Sequence, residues 1–474
     1  MMNFKKLIAL SLSVIALLSF ASCKDEKSKD SNSKSDSVGF DASEYTSDLE
    51  VADYDGYNFR ILIRPGKTTD QYLEEDSDDP VESAVYKRNK VVEQMYNIEI
   101  SATESSGSAE TDALTSILAG DDAYDIIFPH TGSAFVYAVQ GALVNLNEVS
   151  TIHMEKPWWS QDIIDSFNVN DNLYIIDGDI SMHRLEYAMC MYFNKRIFDE
   201  LGIEYPYELV EDGEWTFDEF EDIVKQGAKD LNGDGIMNPA DDQYGYVAHE
   251  WQTPVSIIYT GGQKIYDKNE EGIPELTLNS PKTVDIYDTF FDLCEHESSF
   301  IFFDGMDIGG NPFPAGRAMI SDGNLGNAKS FRNMEDSFGI LPLPKYEYDD
   351  DYATIVNGHA HVVVMPITVE DIEKTGAITE ALCAIGSRDV LPAFYDVSLK
   401  TKYSRDTESE AMIDIIKDSI VYDIGYCSGG TFQYIGQQLG KSVTHDFASM
   451  YASQESSALM ALANFNEAYG GIEK

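Results

Sequence analysis

Apolar and polar positions alternate along YNFRILIR (57–64), the period of two expected of a strand with one buried face. The period lengthens to a helical one in PVESAVYKRNKVVEQMY (80–96), which opens on a Pro-marked, acidic start. NIEISAT (97–103) predicts a second strand, and TDALTSILAG (111–120) a helix ending at Gly120, a residue suited to a left-handed C-cap. YDIIFPHT (124–131) is a short continuous apolar run, as a strand covered on both faces requires. This β-α-β-α-β order predicts an α/β domain with a largely parallel sheet. The order recurs in EYAMCMYFNKRIF (186–198), a strand running into a helix, and in WTFDEFEDIVKQGAKDL (215–231), where Thr216 and Glu219 form a capping-box pair. YGYVAH (244–249), GRAMISD (316–322) and AHVVVMP (360–366) predict further strands. The last hundred residues read mostly as helix: 370–386, 408–424 and 456–469. The whole predicts two α/β lobes with helical decoration and no internal repeat.

The N-terminus is organised differently. Residues 1–23 read MMNFKKLIALSLSVIALLSFASC, with a positive start at Lys5 and Lys6 and an apolar stretch from Leu7 to Phe20. That stretch is short for a membrane span and of signal-peptide length. Ala21, Ser22 and Cys23 resemble the lipobox of bacterial lipoproteins, with Phe20 where the motif usually has Leu. The resemblance implies a signal peptide over 1–22 and acylation of Cys23, palmitate included, so that lipid holds the protein to the outer face of the cell membrane. Residues 23–45 are polar and Ser-rich and cannot form a core, so they are expected to act as a flexible tether.

Composition narrows the function. The chain has 474 residues, 33 Lys+Arg against 83 Asp+Glu, and a net charge of −50. Removal of 1–22 takes away two Lys and no acid, which leaves the body more acidic still. Nucleic acid is therefore not an expected partner, because binding it requires a basic surface that displaces counterions. The chain is 43% apolar and 12% aromatic, enough for large cores. Once Cys23 is set apart, Cys190 and Cys383 lie in apolar runs and read as buried thiols, while a Cys294–Cys427 bond stays open.

Several stretches, in order, resemble the extracellular solute-binding proteins of ABC importers, in the sugar-binding group that includes maltose-binding protein. They are LAGDDAYDIIFPHTGSAFVYAVQGALVNLNEV (118–149), YFNKRIFDELGI (192–203), EWTFDEFEDI (214–223), GRAMISDGN (316–324), FGILPLPKY (338–346) and GHAHVVVMP (358–366). The resemblance implies a two-lobe periplasmic-binding-protein-like α/β fold, with ligand in the interlobe cleft and closure about hinge crossovers. Lobe one is expected at 46–182 plus 325–357, and lobe two at 183–324 plus 358–474. The implied function is capture of a small neutral solute, an oligosaccharide by family, by a monomer that delivers it to an ABC permease. Two other classes stay open: a surface carbohydrate-active enzyme using two carboxylates, and a ligand-sensing partner of a membrane kinase.

Candidate site residues follow from chemistry and position. Sugars need flat apolar faces and fixed polar groups. Trp251, after the strand 244–249, is the foremost stacking candidate; Trp215 reads as packing; of the tandem Trp158 and Trp159 one is expected in the core, and Trp159 is retained as a candidate. His130 and Thr131 end a strand, Asp179, His183 and Glu186 lie on the first crossover, and Asn324 lies on the return crossover. By resemblance, Glu250 and Gln252 match second-lobe contacts, and Phe432 and Tyr434 a late aromatic stretch that packs on sugar. DLNGDGIMNPADD (230–242) has the spacing of an EF-hand loop: Asp230, Asn232, Asp234, the carbonyl of Ile236, Asn238 and Asp241 would supply oxygens to a structural Ca²⁺, with Gly235 at the sharp turn. Asp241 stands where such loops usually have Glu. His359 and His361 show no third ligand in the neighbouring sequence, so hinge or pocket hydrogen bonding is expected of them. GQQLGKS (436–442) is one residue short of a phosphate loop.

Overall fold

A computed structural model describes residue 49 and residues 51–105, 109–403 and 407–471. The signal peptide 1–22, Cys23 and the tether 23–45 lie outside the described residues. In chain order the strands are β1 (Tyr57–Ile63), β2 (Ile98–Glu104), β3 (Ile126–Phe128), β4 (Met189–Asn194), β5 (Tyr244–His249), β6 (Tyr266–Lys268), β7 (Pro274–Leu276), β8 (Ser299–Phe302), β9 (Ala318–Asn324), β10 (Phe338–Leu341), β11 (Thr354–Ile355) and β12 (Ile420–Val421).

The first sheet has the order β2-β1-β3, and both pairings are parallel. The helix Pro80–Tyr96 joins β1 to β2 because its ends are specified locally. The Asp79 side chain accepts from the N–H groups of Val81 and Glu82, Pro80 fills the first turn, and Asn97 closes the helix in the left-handed region at φ 49°. Residues 362–365 complete this sheet's edge: Ile127 and Val364 exchange backbone hydrogen bonds at 3.0 and 3.1 Å, and Val363 bridges to Ile176. AHVVVMP is thus extended, as expected, but is held by bridges to both sides rather than by one ladder.

The second sheet has the order β10-β4-β9-β5-β8. β10, β4 and β9 are antiparallel, and β9, β5 and β8 parallel. All six residues of β4 are buried, as its continuous apolar sequence requires. The helix Phe217–Val224 starts as read: the Thr216 hydroxyl accepts from the Glu219 N–H. It crosses β5 so closely that a Cβ on Gly245 would meet the Val224 carbonyl at 1.7 Å, so only Gly fits there. Trp215 is fully buried and donates to the Pro342 carbonyl, a packing role.

The strand pairings correct the expected lobe limits. β10 lies in the range expected of lobe one (325–357) but pairs with β4 of the second sheet, and 362–365 lies in the range expected of lobe two but bridges to β3 of the first. Both are short apolar runs, and the choice of partner is made by tertiary packing, which a local pattern does not encode. The last helix, Phe447–Ala468, belongs wholly to neither lobe. Its start stacks Phe447 on Tyr287 at 5.4 Å, while at its far end Tyr469 packs on Phe135 at 5.6 Å and donates to the Phe167 carbonyl. Cys190, Cys294, Cys383 and Cys427 are all free thiols, so the open Cys294–Cys427 bond does not form. Among the described residues no helix is long and apolar enough to cross a membrane.

Candidate functional site

Ligands of open α/β sheets lie beyond the carboxyl ends of the strands, where connections diverge. Here β3 ends at Phe128, just before His130, while β5 ends at His249 and β9 at Asn324. A cavity of about 660 Å³ lies between these ends and is lined by all three polar residues. Its first-sheet wall is the start of the helix Thr131–Val139, through Gly132, Ser133 and Val136. Its second-sheet wall adds Trp251, Gln252 and Asp304. The return crossover contributes Asn357, Gly358 and His359, and the segment 426–434 contributes Tyr426, Gln433 and Tyr434.

Each aromatic face is held in place. Trp251 donates its indole N–H to Asp304 at 3.1 Å and meets Tyr434 edge-to-face, with centroids 5.3 Å apart. Lys441 sits 5.6 Å from the Trp251 ring centre and is tied at 2.6 Å to the buried carboxylate of Glu250. Asp304 also faces His249 at 3.4 Å. Across the cavity, His359 Nδ1 lies 3.4 Å from His130 Nε2. Burial, with the Arg64 charge adding, holds the His359 imidazole below its ordinary value, so it stays neutral. The buried Gln252 Oε1 has no hydrogen-bond partner, which leaves an acceptor for a ligand hydroxyl. Among the described residues no Lys or Arg lines the cavity, and Asp304 is the only carboxylate that does. The arrangement suits a neutral ligand with flat apolar faces and many hydroxyls.

A family model described as bacterial extracellular solute-binding protein matches residues 87–369, more than half of the chain. The chain belongs to that family. This solute-binding protein also shares its fold with solved structures at low identity. An ABC substrate-binding protein from Listeria monocytogenes in complex with cycloalternan has 15% identity and a TM-score of 0.52, over 88% of this chain and 100% of that one. The GacH receptor of Streptomyces glaucescens, solved unliganded and with acarbose, has 12% identity and a TM-score of 0.52, over 87% and 97%. A sugar transporter from Rhizobium etli in an open conformation has 13% identity and a TM-score of 0.56, over 88% and 100%. No curated protein matches by sequence.

Of the expected contacts, the solute-binding protein brings His130, Trp251, Gln252, Asn324 and Tyr434 together on its cavity. The others lie elsewhere. Trp159 is buried in the core and donates to Glu380 Oε2 at 2.7 Å, and Trp158 donates to the other oxygen of the same carboxylate. Phe432 is buried in a stack on Tyr451 at 4.9 Å. Thr131 is buried, with its hydroxyl on the Ala360 carbonyl, and Asp179 is buried 3.6 Å from Arg184. Glu250 stands behind the cavity wall, accepting from the Asp304 N–H and from Gln437. His183 and Glu186 border a separate small cavity. His249, Asp304 and Tyr426 went unnamed; the strand-end rule would have found His249, and Tyr426 precedes a Gly-Gly pair (429–430) at which the chain turns toward the cavity.

The loop 230–241 turns as its sequence directs. Asp230 accepts from the N–H groups of Gly233 and Gly235 at 2.6 and 2.7 Å, which lowers its pKa, and Gly235 takes φ 81°. The buried Asp242, one residue beyond the motif, closes the loop by accepting from Leu231 and Asn238, both at 2.8 Å. The carboxylate and amide oxygens of the loop are donors of the type hard cations take, but among the described residues its carboxylates do not converge as a trio.

Proposed function

We propose that this solute-binding protein captures a neutral oligosaccharide in the cavity between its two sheets and delivers it, unchanged, to the permease of an ABC importer. It acts as a monomer, held to the outer face of the cell membrane by acyl chains on Cys23. The observation that carries the reading is the lining of the 660 Å³ cavity: Trp251 and Tyr434 as apolar faces, His, Asn and Gln side chains around them, and, among the described residues, no Lys or Arg. The ligands bound by two structural relatives, cycloalternan and acarbose, agree with it. Hydrolysis of a glycoside ordinarily takes two carboxylates about the scissile bond; among the described residues this cavity offers Asp304 alone, already engaged by Trp251 and His249. A Ca²⁺ ion in the loop 230–241, on Asp230, Asn232, Asp234, the Ile236 carbonyl, Asn238 and Asp241, would brace the excursion between the helix Phe217–Val224 and β5. The function is tested on a glycan array, with the bound glycan recovered after long incubation. Selective retention of neutral glycans and their recovery intact support the reading; turnover abolished by replacing one carboxylate favours the enzyme.

A further inference from the structure

The first crossover takes His183 away from the solute cavity. Its Nε2 lies 2.7 Å from Asp70 Oδ2, and its ring stacks on His361 with centroids 3.9 Å apart and planes within 17°. Its Nδ1 accepts the His361 backbone N–H at 3.3 Å, which puts the imidazole proton on Nε2, facing the carboxylate. His361 is wholly buried, and neither of its ring nitrogens has a hydrogen-bond partner. Leaving such a group unpaired is destabilising, and buried polar groups of this kind call for an explanation. Among the described residues, Asp70, His183 and His361 are also the one trio of His, Cys, Asp or Glu whose ligating atoms all lie within 4.8 Å of one another.

We propose that Asp70, His183 and His361 form a binding site for a divalent transition-metal cation, Zn²⁺ by its chemistry. Two imidazole nitrogens and a carboxylate oxygen are a donor set that Zn²⁺ takes, whereas Ca²⁺ and Mg²⁺ want oxygen alone. Glu186 Oε2, 3.7 Å from His183 Nε2, stands ready as a fourth donor, and with Asp70 it balances the dication's charge. For the neutral His183 imidazole to offer its Nε2 lone pair, its single proton would sit on Nδ1 in the bound state, so the contact with the His361 backbone N–H is given up and the two rings turn out of their stack to converge on the ion. Ions reach the site through a cavity of about 150 Å³ whose wall includes Asp70, His183 and Glu186. Lys67, 3.7 Å from the same Asp70 oxygen, is the competing cation. An ion here would tie the turn Thr68–Asp70 beside β1 to the first crossover and to the return segment 359–366. The sequence hid this site because its ligands are far apart along the chain.

The test is calorimetric titration of the full chain in detergent, stripped with chelator, with Zn²⁺ alone in a buffer saturated with Ca²⁺. One Zn²⁺ per chain is expected, weakened at least tenfold in both His361→Ala and Asp70→Asn, and tightened several-fold in Lys67→Met, which removes the competitor. Asp70 is partly exposed, so its variant reports on the site even if His361→Ala melts early. Absence of saturable Zn²⁺ binding by the wild type overturns the proposal. So does binding that persists in Asp70→Asn but disappears in Asp230→Ala, which would put the ion in the loop 230–241.

Discussion

Trp251 carries the largest single expectation at the scale of the residue. Its indole is half-buried, braced by Asp304 and Tyr434, and contributes an aromatic face to the cavity. Large aromatic anchors cost more than about 1 kcal/mol when truncated, so Trp251→Ala is expected to weaken binding about tenfold or more while shifting the melting temperature little. Unchanged affinity would remove the residue from the site. Asp177 gives a pH signature. It is fully buried with only the Gly178 N–H on its carboxylate at 2.8 Å, and burial raises its pKa to about 8, against a weaker pull from Arg184. Between its ordinary value and 8, the unfolded chain holds less proton at this position than the fold, so this group makes stability fall as pH rises, by up to about 1.4 kcal/mol per unit. Asp177→Asn keeps an acceptor for Gly178 without the charge. Its advantage over the wild type should therefore grow from pH 5 to pH 8; parallel melting curves for the two proteins would contradict this. Trp251 and His130 were legible as cavity-lining residues because each follows a strand end, which fixes where it lies. The sequence could not separate Trp159 from Trp251, because the carboxylate that claims the Trp159 indole, Glu380, lies more than two hundred residues further on.

Elements were legible wherever their ends are specified locally. Helix Pro80–Tyr96 has the bounds its pattern implies, since Asp79 and Asn97 stop it at either end. Helix Phe217–Val224 begins as read but stops before KQGAKDL (225–231), where Gly227 packs so tightly on Gly245 and Met319 that a Cβ would reach them at 2.6 and 2.7 Å. That contact is tertiary and leaves no periodic trace. The loop 230–241 is the element with a test of its own. Extracellular Ca²⁺ modules bind at about 10⁻⁴–10⁻³ M, and a ligand bound only by the fold stabilises it by mass action, about 2.7 kcal/mol at a hundredfold excess over Kd. Millimolar Ca²⁺ is expected to raise the melting temperature, and Asp230→Ala to abolish the rise. An equal rise in the variant would place the ion elsewhere.

For the whole molecule, the two sheets were foreseen, but the paths between them were only partly so. The exchange of 338–341 and 362–365 between sheets, and a last helix that packs on both, put more connections around the cleft than the chain's local pattern reveals. The cleft stands between strand ends of both sheets, so closure on a ligand is the expected motion. A cavity with no Lys or Arg among its described lining residues, in a chain of net charge −50, disfavours anions, so stacking and hydroxyl hydrogen bonds are expected to hold the ligand. The most direct measurement is calorimetric titration of the purified protein with a neutral oligosaccharide and with an acidic one, each at low and at high salt. One neutral oligosaccharide bound per chain, with affinity nearly independent of salt, is the expected result. Preference for the acidic ligand, with affinity falling steeply as salt rises, would contradict capture of a neutral sugar.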